Sequence, residues 1–164
     1  AVSGRLLARN GAVTLDTNTV TKADCTPPGT LAITAPTGPV SLGTVPASSP
    51  TISGHLGTVT VTDTRTANPA AWTTAVTCTD FVSSAHTISA SSAAYSPGSL
   101  TTTGNPTFAT IDASSMSSAP ASVATATSGT GNNSASWNPT ITITLPPAGL
   151  VVGRYTATIT HSVA

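Results

Sequence analysis

The sequence predicts an all-β protein built as a single antiparallel β-sandwich. Three observations carry this. Thr and Ser make up about a third of the 164 residues, and Thr is densest where alternation is cleanest. Its branched Cβ suits a pleated, half-exposed surface. Apolar residues recur with a period of two in short runs, and a helical period is nowhere sustained. Thirteen Gly and thirteen Pro supply turn signals between the runs. A chain of this length can bury a real core.

The elements follow in order. Residues 1–24, AVSGRLLARNGAVTLDTNTVTKAD, hold three of the five cations and two of the five acids. They read as an extended N-terminal β arm, or a linker from an upstream domain. Ala12–Thr21 is its strand-forming run, and Leu7, Val13 and Leu15 are its apolar anchors. The sandwich is expected over 25–164. Leu31 and Ile33 alternate in TLAITAP, and Val59 and Val61 in GTVTVTD. Trp72, Thr74, Val76 and Cys78 share one face of AWTTAVTC. Phe108 and Ile111 mark a weaker strand. Ile141, Ile143 and Leu145 share a face of PTITITLP. Tyr155, Ala157, Ile159, His161 and Val163 share a face of the last strand, with Thr156, Thr158 and Thr160 opposite. Trp72, Val76, Tyr155 and Ile159 are the expected core. The low-complexity stretches Ser83–Ser99 and Ser114–Ser136 read as long loops or weak edge strands.

Composition narrows the partners. Charged residues are 6 % of the chain, there is no Glu, and the formal net charge is zero. Little repulsion keeps copies apart, so self-association is favoured. Five scattered cations cannot neutralise a phosphate backbone, which argues against nucleic acid. No apolar run approaches the roughly 20 residues of a membrane span. The chain opens at Ala1 without an apolar leader-like run and reads as a processed product.

Cys25 and Cys78 are the only cysteines. In a charge-poor, Thr/Ser-rich chain they suggest an exported protein with one disulfide, which would close a loop of about 50 residues and contribute roughly 4 kcal/mol. The alternative is two buried free thiols. These cysteines with His55, His86 and His161 show no metal-ligand spacing, so no metal or other cofactor is expected.

Catalysis is not expected, and no catalytic residue is assigned. Nothing resembles a nucleophile elbow or an oxyanion loop. Asp16, Asp24, Asp63, Asp80 and Asp112 are the only carboxylates, none in an apolar context that would raise a pKa. Asp63 and Arg65 read as a turn with a local ion pair rather than a ligand site. His161 reads as a buried, hydrogen-bonded histidine. Trp72 reads as core rather than as a sugar platform.

Two segments resemble known families. Gly4–Thr21, GRLLARNGAVTLDTNTVT, resembles the closing segment of the bacterial ice-binding-like β-solenoid family, whose stacked coils are otherwise missing here. Leu56–Val163 resembles a WxL-type domain, a secreted β-domain of Gram-positive cell surfaces. The matching features are Val59, Val61, Asp63, Arg65 and Trp72, then Leu145, Pro146, Gly153, Tyr155 and Thr156–Thr160. Thr74 stands where that family has Leu, and His161 and Val163 stand where it has Trp and Leu. The resemblance implies an Ig-like sandwich at the cell surface or in the cell wall. It also implies peptidoglycan attachment, which the altered motifs place second.

The expected function is therefore structural: an extracellular protein that polymerises by donating its arm as an extra strand to the next copy. The competing class is a monomeric cell-wall binding module. An ice-binding or adhesin-associated role is the lesser alternative, since Thr58/Thr60/Thr62 and Thr156/Thr158/Thr160 offer short threonine rows.

Overall fold

The computed structural model describes residues 2–3, 20–21, 29–65, 68–84, 86–147 and 151–164. Among these the strands are β1 (Val2–Ser3), β2 (Val20–Thr21), β3 (Leu31–Thr34), β4 (Thr51–His55), β5 (Val59–Asp63), β6 (Ala70–Cys78), β7 (Phe81–Ser83) and β8 (His86–Ile88). They continue as β9 (Ala93–Ser96), β10 (Thr101–Thr103), β11 (Thr107–Thr110), β12 (Ala121–Gly129), β13 (Asn133–Trp137), β14 (Thr140–Thr144) and β15 (Ile159–Val163). The protein is all-β, with several antiparallel sheets in a sandwich-like arrangement.

One layer combines two sheets, β10-β13-β5-β3 and β9-β14-β4. The chain runs on from β4 into β5, from β9 into β10 and from β13 into β14, so three long strands cross both sheets. Each long strand bends where the sheets meet. At the bend, the Leu56 N–H donates to the Pro139 carbonyl at 2.9 Å and the Gly57 N–H to Asn138 Oδ1 at 3.0 Å. Gly57 has φ +93°, a conformation glycine adopts without cost. The other layer is β11-β12-β6-β15, extended by the small β7-β8 hairpin through a bridge between Val82 and Thr156.

The core follows the predicted alternation. Val59 and Val61, then Trp72, Thr74, Val76 and Cys78, then Ile141, Ile143 and Leu145 are all buried. Two apolar clusters result. One gathers Val76, Cys78, Phe81, Tyr95, Met116, Val123, Ile141 and Ile143. The other gathers Val59, Val61, Trp72, Ala124, Ala126, Ala135 and Trp137. Tyr155 and Ile159 are half-buried and pack against the first cluster. Ile111 departs from expectation: it is 49 % exposed, on the outward side of its strand.

The low-complexity stretches carry strands rather than long loops; those of Ser83–Ser99 are edge strands, as expected, whereas those of Ser114–Ser136 are not. Ser83–Ser99 carries β8 and β9, and Ser114–Ser136 carries β12 and most of β13. Both β12 and β13 are interior strands with partners on each side. Their buried residues include three alanines, Ala124, Ala126 and Ala135, all fully buried. Small residues here leave the volume that Trp72 and Trp137 fill. Ala and Ser carry little strand propensity of their own, so the tertiary setting decides.

Within the N-terminal segment β1 pairs with β2 in parallel, Val2 opposite Val20 and Ser3 opposite Thr21. Leu7, Val13 and Leu15 lie outside the described residues.

Candidate functional site

Two polar clasps tie the layers together, and both use residues singled out in the sequence. The first sits at one end of β5. Arg65 reaches back to Asp63: its Nε donates to Oδ1 and its Nη2 to Oδ2, each at 2.9 Å, while its backbone N–H donates to Oδ1 at 2.9 Å. Asp63 is fully buried, opposite Asn133 on β13. The Arg65 hydrogen bond holds its carboxyl below the usual carboxylate range, against the opposing effect of burial. Arg65 Nη2 also donates to the Ala71 carbonyl at 2.6 Å, and Trp72 Nε1 donates to Asn133 Oδ1 at 2.9 Å. The Asp-x-Arg turn and the following Trp are thus one device. They join β5 and β13 to β6.

The second clasp is Trp137, Tyr95 and His161. Trp137 Nε1 donates to the Tyr95 hydroxyl at 3.0 Å, and that hydroxyl lies 2.9 Å from His161 Nε2. An indole N–H is only a donor, so the Tyr95 oxygen accepts it. The second hydrogen bond, between that hydroxyl and His161 Nε2, takes its direction from the imidazole tautomer. Burial lowers the His161 pKa, which favours the neutral imidazole, and pushes the Tyr95 hydroxyl up to about 12. Sequence reasoning found His161 but missed Tyr95 and Trp137. Trp137 lies in a Ser/Ala/Asn setting that gave no sign of a core strand, although the tryptophan itself was the available signal.

The expected Cys25–Cys78 disulfide finds no support among the described residues. Cys78 is a buried free thiol whose Sγ lies 3.2 Å from the Thr79 carbonyl oxygen. Burial, then the Asp80 charge, raises its pKa to about 11, so it is a poor nucleophile. Cys25 lies outside the described residues.

Chemical groups are otherwise sparse. Among the described residues no cluster of three His, Cys, Asp or Glu side chains forms. A shallow depression of about 470 Å³ is lined by Thr79, Asp80, Val82, Thr156, Ala157 and Thr158. Asp80 is occupied there, its Oδ1 accepting the Ala90 N–H at 2.8 Å.

What the sandwich does offer is one open side. On the opposite side β3 and β15 lie together, and Leu31, Ile33 and Val163 pack on the same cluster. On the open side the layers end in β10 and β11, each hydrogen-bonded to a single neighbour among the described residues. The chain crosses between them at Gly104, Asn105 and Pro106, where Gly104 has φ +90°. It returns at Ala113, whose N–H and carbonyl exchange hydrogen bonds with Tyr95. Thr102 pairs with buried Ala135, and Thr110 with buried Ala124, so both face inward. Both are nevertheless exposed. Leu100 and Phe108 line the same gap, half-buried. Neither strand carries a charged residue or Pro, the usual protections of an edge.

Comparison of the chain with protein-family models, with curated proteins and with solved structures returns no match.

Proposed function

We propose that this chain is a secreted structural protein of the bacterial cell surface. Its sandwich is Ig-like, and it self-assembles into filaments by donating its N-terminal arm to a neighbouring copy. The observation that carries the reading is the open side, where β10 and β11 present free, uncharged edges over half-buried Leu100 and Phe108. A free edge is a template for another strand, and natural monomers usually protect it with charge, Pro or a covering segment.

The arm supplies a candidate strand. Among the described residues both core clusters are built from Leu31 onward. The β1–β2 ladder is two residues long, too short to be stable alone. Exchanging it for a longer ladder on a neighbour is favourable. Its parallel pairing, Val2 with Val20, also suits a returning solenoid coil and so fits the ice-binding-like resemblance of Gly4–Thr21. Zero net charge removes the long-range repulsion that would oppose close packing of copies. The extracellular assignment rests on the charge-poor, Thr-rich composition and on the WxL-like resemblance.

Light scattering and negative-stain microscopy of the full chain test the proposal. Fibres are expected, and deletion of residues 1–20 should leave a folded monomer. A full chain that stays monomeric at high concentration and pellets with peptidoglycan would instead favour the binding module.

A further inference from the structure

We propose that β11 is the acceptor edge, and that its occupant is the Ala12–Thr21 strand of a second copy. The inference rests on the self-assembly reading and names the surface that reading needs.

Among the two edges of the open side, β11 offers the longer ladder. Its free edge runs from Thr107 through Thr110 and on to Ile111, whose N–H still bonds β12 at the Val123 carbonyl. β10 offers only Thr101–Thr103. Beside β11 two side chains are in the wrong environment for a finished sheet. Thr110 faces inward yet is exposed, and Ile111 faces outward and is 49 % exposed. A strand laid along β11 covers both. Its alternating apolar residues, Val13 and Leu15, would face the gap above Phe108 and Leu100, and its threonines would face solvent.

The position of the arm's root fits a second copy. The chain enters the sandwich at β3, and layer one runs β10-β13-β5-β3. Root and acceptor side are separated by three strand spacings, roughly 14 Å at about 4.8 Å each. The arm's root and the acceptor side therefore lie at opposite ends of the strand order. A contact between the arm of one copy and β11 of another is head-to-tail and propagates rather than closing into a dimer.

The test places a charge where the donated strand must be buried. Thr110→Lys in the full chain leaves the monomer intact, because Thr110 is exposed there. It should cut fibre mass at least about tenfold, since an unpaired ammonium would be buried on assembly. Thr110→Asp repeats the test with the opposite sign, and circular dichroism melts confirm that each variant folds. Ser53→Lys, on the outer strand β4, is the control and should assemble like wild type. Thr110→Lys keeps its arm, so added at one part in about ten it should cap and shorten wild-type fibres. If both Thr110 variants polymerise as wild type does, the acceptor assignment is overturned while arm donation stands. If the wild-type chain forms no fibres, the self-assembly reading fails and this inference with it.

Discussion

Replacing Trp72 with Ala probes the join between the layers most sharply. Trp72 is 3 % exposed, and its ring lies 6.1 Å from that of Phe108 at an interplanar angle of 53°. Around it stand Ala124, Ala126 and Ala135, which are too small to collapse into the space it would leave. A buried Trp→Ala change costs about 3–5 kcal/mol through lost burial and the remaining cavity. The substitution also orphans Asn133 Oδ1, which accepts the indole N–H at 2.9 Å. An unpaired buried acceptor adds about 1–3 kcal/mol. The expected loss is about 4–8 kcal/mol. At roughly 2–4 °C per kcal/mol for a chain of this size, the melting midpoint should fall by roughly 10–30 °C. Trp72→Phe keeps most of the volume but loses the hydrogen bond, so it should cost only about 1–2 kcal/mol. Urea titration followed by circular dichroism measures both, provided the slope is unchanged. A Trp72→Ala protein within about 1 kcal/mol of wild type would refute the packing argument. A Phe variant as damaged as the Ala variant would refute the role assigned to volume.

Three further outcomes follow from the clasps. His161 has a lowered pKa in the folded state, so the unfolded chain takes up its proton first; stability should be full above about pH 6.5 and decline as the pH falls below it, and His161→Gln should flatten that slope in urea midpoints taken between about pH 7.5 and pH 5. Asp63 also has a lowered folded pKa, so its contribution is present above about pH 4 and is lost as the pH drops through the folded value. Asp63→Asn should cost about 2 kcal/mol at neutral pH by chemical denaturation, less than for a fully buried pair because the Arg65 side chain is 32 % exposed; no measurable loss would mean that the ion pair is idle. Intact mass should be unchanged by reductant, and Cys78 should be alkylated only after denaturation; a loss of two protons in the unreduced protein would show that Cys78 is bridged rather than free.

Much of this architecture is legible in the sequence where large apolar residues alternate with Thr. Val59/Val61, Trp72/Val76 and Ile141/Ile143 point inward as their spacing predicts, because period-two burial leaves a clear pattern when the inward residues are large. The Asp63–Arg65 turn is legible too, since its two charges are close in the chain. The Ala/Ser strands are not. β12 and β13 hold the middle of their sheets through small residues that complement tryptophans distant in sequence, and local pattern cannot express that. The Tyr95 hydroxyl joins residues 42 and 66 positions away, so neither end foretells the other. The open side was hidden for the same reason. Which strands become edges depends on the pairing of the whole layer, and β10 and β11 look no different in sequence from Thr-rich strands with two partners.

Arm-dependent self-assembly is the central claim, and particle size tests it most directly. Size-exclusion chromatography with light scattering should be run on the full chain and on a chain lacking residues 1–20, at matched concentration. The account predicts polydisperse, growing particles for the full chain and a single folded species of monomer mass for the truncated one. Two monomers would contradict it, and so would two equally polymeric samples.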